Sequence, residues 1–201
     1  MASFDFDFDG PDRVIALPLD DDEAVAARAR ALLADYPVQV TDADVRFQEG
    51  VFRDVVGLAR DGRADVFYVV IPEPPQLGVI AMIVMRFHIG EGEETIEYFL
   101  SPEADQNRVI IAPPEVSRRS TPMGTATRKR YRYTHAGLMG KKRFLRKPEA
   151  KVIEQLSWYW PLTDPDDRPV LINLTAFTYD LADTETTARI VDEFAESIAM
   201  K

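Results

Sequence analysis

The chain contains no cysteine, which removes disulfides, thiolate nucleophiles, zinc fingers and cysteine-ligated iron–sulfur clusters together. Histidine is scarce too: only His88 and His135 are present, and neither has carboxylates or hydroxyls at the spacing of a metal site or a catalytic triad. No metal, cofactor or catalytic residue is therefore expected. Long apolar runs are also missing. The longest, Leu77 to Met85, is about half of the roughly 18 residues that would suggest a membrane helix. The opening stretch from Met1 to Gly10 has neither a basic leader nor an apolar centre, which argues against a secretory signal. The expectation is a soluble, cytoplasmic protein without a membrane span.

What is present suits a folded chain. A hydrophobic fraction of 46% and a charged fraction of 29% over 201 residues supply enough apolar surface to offset chain entropy. The formal charge of −10 disfavours general attraction to nucleic acid or anionic lipid. That average conceals a local opposite, because residues 118–151 hold 12 of the 24 Lys and Arg but only 1 of the 34 Asp and Glu. Residues 1–12 read as an acidic Phe/Asp leader, free to be flexible, and 13–201 as one domain.

Hydrophobic periodicity gives the elements. Arg13 to Leu17, ended by Pro18, suits a strand near a sheet edge. Asp20 to Glu23 place negative charge at a helix start, and Val25, Ala29, Leu32, Leu33 and Tyr36 recur at helical spacing. A second helix is expected over 43–60 on Val51, Phe52, Val55, Val56 and Ala59, although Gly50 and Gly57 weaken it. Asp65 to Ile71 and Leu77 to Ile89 read as strands joined across Pro72, Pro74 and Pro75, while Thr95 to Leu100 fits strand or helix equally. Arg108 to Ala112, Thr127 to Thr134, Val152 to Trp160 and Pro169 to Tyr179 complete the strands, and a final amphipathic helix spans Thr184 to Met200. Strands in succession without intervening helices predict an α+β fold: one mostly antiparallel sheet of about six or seven strands, a meander with helices packed on it.

The C-terminal third carries Trp158, Tyr159, Trp160, Pro161 and Leu162, then Val170 to Phe177, then the helix from Asp180 to Ile198. In this order of strand, proline turn, strand and helix it resembles actinobacterial proteins of the PsbP-like superfamily. Those proteins share the fold of the extrinsic photosystem II protein and of a Ran-binding nuclear import factor. The resemblance implies an α/β/α sandwich and a noncatalytic binding or scaffold role, and carries over no functional residue.

The basic stretch is the main candidate site. Alternation along a strand puts Arg128, Arg130 and Arg132 on one face and Lys129, Tyr131 and Tyr133 on the other, which suggests an edge or solvent-facing strand. With Arg118, Arg119, Lys141, Lys142, Arg143, Arg146 and Lys147, these cations could converge on phosphates or on an acidic protein surface. The more ordinary account is that they pair with this chain's own carboxylates or guard a sheet edge against aggregation.

Other features are weighed and set lower. Asp5 to Gly10 match the opening D-x-D-x-D-G of a calcium loop, but Ala16 stands where the bidentate Glu belongs. The leader could instead dock on the basic segment. Gly137, Gly140, Lys141 and Lys142 lack the spacing and the hydroxyl of a phosphate loop. The acidic cluster Glu91, Glu93, Glu94 and Glu97 near His88 reads as a solvated face. Trp158 and Trp160 share one side of a strand and could form a ligand platform, though core or sheet-face packing is the better account of them.

The function expected is a noncatalytic binding or scaffold role, with the basic segment contacting an acidic protein or another polyanion. The alternative is a small-molecule or lipid-binding domain, or an enzyme with a site assembled from distant residues, and an apolar pocket with convergent polar groups would favour it. Self-association of basic segment with acidic surface would give a homo-oligomer.

Overall fold

The computed structural model describes residues 6–8, 10–101, 108–135, 152–164 and 166–200. Ten strands and four helices follow along them. They are β1 (Phe6–Phe8), β2 (Val14–Ala16), α1 (Asp22–Ala34), α2 (Asp42–Asp61), β3 (Val66–Val70), β4 (Ala81–Ile89), α3 (Glu93–Leu100), β5 (Arg108–Ile110), β6 (Glu115–Thr121), β7 (Gly124–His135), β8 (Val152–Thr163), β9 (Pro169–Thr178), α4 (Thr184–Ser197) and β10 (Ile198–Met200).

The helices start where side chains satisfy their free N–H groups. Asp21 caps α1 by accepting from Glu23 N and Ala24 N, each at 2.9 Å. Thr41 and Asp44 form a reciprocal capping box at α2. Gly50 and Gly57 lie within α2, whose buried stripe of Phe52, Val55, Val56 and Ala59 against the sheet outweighs their cost. The buried Gln48 ties the same helix to the β3–β4 connection, donating to Gly78 O at 3.3 Å and accepting from Gly78 N at 2.7 Å.

Eight strands form one antiparallel sheet in the order β2-β3-β4-β9-β8-β7, with β5 and β6 both on the outer side of β7. The expected meander holds in two runs, β2-β3-β4 and β6-β7-β8-β9. They are joined not by sequence neighbours but by β4 lying against β9 from Ala81–Thr178 to Ile89–Val170. The expected antiparallel α+β architecture is thus the one found. Thr95 to Leu100 resolves as helix, and β6, not foreseen from the sequence, is a strand built largely of polar residues.

Helices cover both faces. On one, α4 sets Ile190, Val191, Phe194 and Ala195 against Tyr68, Ile83, Trp158, Trp160, Ile172 and Leu174. On the other, α1 and α2 pack Val25, Ala29, Phe52 and Val56 over Phe67, Val69, Met82 and Val84. The same face carries a small cluster of Ile96, Tyr159 and Leu171 under α3, and a further one of Tyr131, Tyr133 and Ile153. No described helix is long and apolar enough to cross a membrane. In the acidic leader, the backbone of Phe6–Phe8 pairs antiparallel with Ile198–Met200.

The β8–β9 connection is organised by one carboxylate. Asp164 Oδ1 accepts from Asp166 N and Arg168 N, Oδ2 accepts from Arg168 Nε, and Asp167 takes a left-handed φ of 62°. The N–H groups and the guanidinium hold the Asp164 carboxyl below its ordinary range. A depressed carboxylate pKa contributes stability above the unfolded value, about 4, and that contribution is lost as pH falls through the folded value. Urea midpoints measured between about pH 6 and 3 should therefore fall with acidification, and Asp164→Asn should flatten the acid limb while lowering the plateau. An unchanged acid limb in Asp164→Asn would remove this residue from the account.

Candidate functional site

The three arginines of β7 point to one face as alternation requires, but that face is covered. Trp158 faces Arg128, Leu156 faces Arg130 and Glu154 faces Arg132 across the β7–β8 pair, and β5 and β6 close the other side, so β7 is an inner strand and not an edge. Arg128 is bidentate to Asp192 of α4 at 2.8 and 3.0 Å, and Trp158 Nε1 donates to the same carboxylate at 3.1 Å. Arg130 is shared between Glu154 at 2.9 Å and Glu185 at 2.7 Å. Arg132 Nε reaches the other oxygen of Glu154 at 2.7 Å. These carboxylates raise the Arg130 pKa further, and Arg130 holds the Glu185 carboxyl low. Arg128, Arg130 and Arg132 are thereby neutralised within the chain, which corrects the expectation that they stand ready for an outside anion.

Two cations of the same segment remain outward. Arg118 and Arg119 are exposed on β6, and among the described residues no carboxylate pairs with either. Register places Arg118 opposite Thr127, on the α3 face, and Arg119 opposite Ala126, on the α4 face. Beside Arg118 runs a groove of about 500 Å³ lined by Ile96, Glu97, Leu100, Val116, Ser117, Thr125 and Thr127. Lys141, Lys142, Arg143, Arg146 and Lys147 lie outside the described residues, as does the glycine-containing loop beginning at Gly137.

Trp158 and Trp160 are fully buried and stacked at 5.7 Å beneath α4, and Trp160 Nε1 donates to Thr121 Oγ1 at 3.0 Å. With no ring face open, they pack the core and form no ligand platform. His88 lies edge-on to Phe99, its Nδ1 3.7 Å from a Glu91 oxygen, and its buried Nε2 has no described partner. No group of three or more Asp, Glu or His among the described residues could hold a metal ion.

The sheet face opposite α4 shows what the sequence reading missed. Between its apolar clusters lies a buried polar row. Gln155 Nε2 donates to Ser157 Oγ at 2.9 Å, Ser157 Oγ and Thr175 Oγ1 are 3.0 Å apart, and Thr175 donates to Asn173 Oδ1 at 3.2 Å. Lys129, 1% exposed opposite Ser157, donates to Phe99 O at 2.8 Å and sits over the Tyr131 ring. Gln155 Oε1 is buried and accepts no hydrogen bond among the described residues, an arrangement that ordinarily costs about 1–3 kcal/mol. The signal was available: Gln155 and Ser157, like Asn173 and Thr175, are polar at alternate positions inside mostly apolar strands. Arg86 stands opposite Asn173 at one end of this row, beside a cavity of about 260 Å³ under the end of α2.

Fold and site together define an antiparallel α+β sandwich whose inner basic strand is internally paired and whose outer hairpin strand carries two exposed arginines. No protein-family model and no curated protein sequence matches the chain. Among solved structures it is similar to LpqN of Mycobacterium tuberculosis, described as involved in cell envelope biogenesis, at a TM-score of 0.54 and 12% identity over 100% of this chain and 85% of that one. Identity this low shows likeness of fold alone. The helices on both faces of the sheet agree with the layered architecture that the PsbP-like resemblance implied, while no family model supports the superfamily itself.

Glu154 is 3% exposed and serves two guanidinia, so its loss leaves buried charge uncompensated. Glu154→Gln should cost about 3–5 kcal/mol in urea denaturation. Arg189→Ala, which removes only an exposed pair with Glu193, should change stability by less than about 0.5 kcal/mol. Equal effects would show that burial of the Glu154 network is not what matters.

Proposed function

We propose that the protein is a noncatalytic binding domain whose outer strand β6 takes an extended acidic segment of another protein. The supporting observation is the contrast among its arginines: Arg128, Arg130 and Arg132 are held by internal carboxylates, whereas Arg118 and Arg119 are exposed without one among the described residues. Among the described residues β6 pairs with β7 and with no other strand, so alternate N–H and C=O groups of its other edge could receive an added strand. Arg118 and Arg119 project to opposite faces, and an added strand meets both only if it carries carboxylates at successive positions. The groove of Ile96, Leu100 and Val116 would take an apolar side chain of the same segment.

A second copy fits this edge less well. Symmetric antiparallel pairing centred on Arg118 would set one guanidinium against another, and like charges directly opposed across strands are destabilising. The partner is therefore read as a different, acidic chain.

Fluorescence anisotropy with a labelled octaglutamate tests this. Binding should be clear at low salt, weaken as ionic strength rises, and fall at least about tenfold in Arg118→Glu/Arg119→Glu. Arg189→Glu, on α4, should bind as the native protein does. Native-like binding by the double variant, or no binding at low salt, would end this reading, and light scattering that shows a salt-dependent dimer would replace it with self-association.

A further inference from the structure

Arg86 is unusual among the cations of the sheet. It projects from β4 on the face covered by α1 and α2, where Phe67, Met82 and Val84 are its apolar neighbours. Its Nη2 donates to Gly62 O at 2.7 Å, and no carboxylate pairs with it among the described residues. Asp65 lies just before β3, and its Oδ2 accepts from Phe87 N at 2.8 Å. A guanidinium has five N–H donors, so a single carbonyl bond leaves most of the Arg86 fork unused.

Arg86 lines the cavity of about 260 Å³ together with Tyr133 and Tyr179, and Phe67, Met82, Val84, Ile153 and Phe177 supply its apolar wall. That volume is slightly below the roughly 300–1,000 Å³ of drug-sized ligand sites. Leu58 is 57% exposed, which places it at the rim, whereas Phe67, Met82, Val84 and Ile153 are buried. An opening at the end of α2, apolar depth and one guanidinium with donors to spare together specify a complementary molecule. It has a compact apolar body and a single planar anion able to take two parallel N–H bonds.

We infer that this cavity binds a small apolar carboxylate, with its carboxylate on Arg86 and its hydrocarbon part against Met82, Val84, Ile153 and Phe177. The site lies on the opposite side of the sheet from α4 and is built without Arg118 or Arg119, so it stands or falls separately from the β6 edge. Charge and shape divide the work: the guanidinium selects the anion, and the walls limit the body to about the size of a medium-length acyl chain.

Calorimetric titration of the full chain with octanoate and with octan-1-ol separates the two parts. Octanoate should bind at least about tenfold more tightly than the alcohol. Arg86→Gln should erase the preference, leaving the two ligands within about twofold, while Arg86→Lys, which keeps the charge, should retain part of it. Leu58→Glu, at the exposed rim, should weaken octanoate more than octan-1-ol by setting a like charge at the opening. It also serves if Arg86→Gln fails to fold, as circular dichroism would show. Equal affinities for the two ligands in the native protein, an undiminished preference in Arg86→Gln or Leu58→Glu, or no heat from either ligand up to millimolar concentration would overturn the inference. The octaglutamate titration is unaffected by any of these outcomes.

Discussion

Three arginines at alternate positions of an inner strand impose the constraint on which this architecture rests. Arg128, Arg130 and Arg132 all face α4, and the first two are largely buried there, where an unpaired charge would be strongly unfavourable. Asp192 and Glu185 on α4 and Glu154 on β8 supply the counter-charges, so the helix can lie at one height and one rotation over the sheet. Apolar contacts of Val191 and Phe194 with Trp158 and Leu174 provide the gross attraction between layers. The ion pairs make one arrangement of those layers better than its neighbours, the role in specificity that buried polar groups can serve. Trp158 belongs to both systems, since its ring is in the core and its Nε1 donates to Asp192.

The two faces of the sheet are consequently different in kind. The α4 face is continuous, with apolar core and ion pairs interleaved. The opposite face is divided: α1 and α2 cover one end, α3 covers another, and the strip from Arg86 through Asn173, Thr175 and Ser157 to Lys129 is polar although most of it is buried. Sheet centres are ordinarily filled by apolar side chains, and a hydrogen-bonded row there sacrifices burial energy that Val or Leu would have supplied. Departures of this type concentrate where function overrides packing. The Arg86 cavity lies along that strip, and the β6 edge lies at the sheet's far side, so the molecule offers two surfaces of different chemistry.

Much of the fold was legible because its signals are local. The negative charge of Asp20 to Glu23 at the start of α1, the apolar stripe of α4 and the Val- and Ile-rich strands depend on residues close in sequence, and the elements expected from them formed within a few positions of their spans. β6 was not legible, since Glu115 to Thr121 has no apolar alternation and is a strand only because β7 offers a partner through a tight turn. The adjacency of β4 and β9 was hidden for a similar reason, since pairing between residues as far apart as Ala81 and Thr178 leaves no mark on either strand alone.

The sequence by itself determined that the chain lacks cysteine chemistry, that it is α+β with successive antiparallel strands, and that its positive charge is concentrated in residues 118–151. Alternation even assigned Arg128, Arg130 and Arg132 to one side of a strand. Only the tertiary structure decided what that side meets, because Asp192 and Glu185 approach those arginines from more than fifty residues away. Tertiary packing likewise left Arg118, Arg119 and Arg86 without carboxylates among the described residues. A charge count cannot separate these cases, since neutralisation depends on a distance of a few ångströms between groups whose separation along the chain carries no such information.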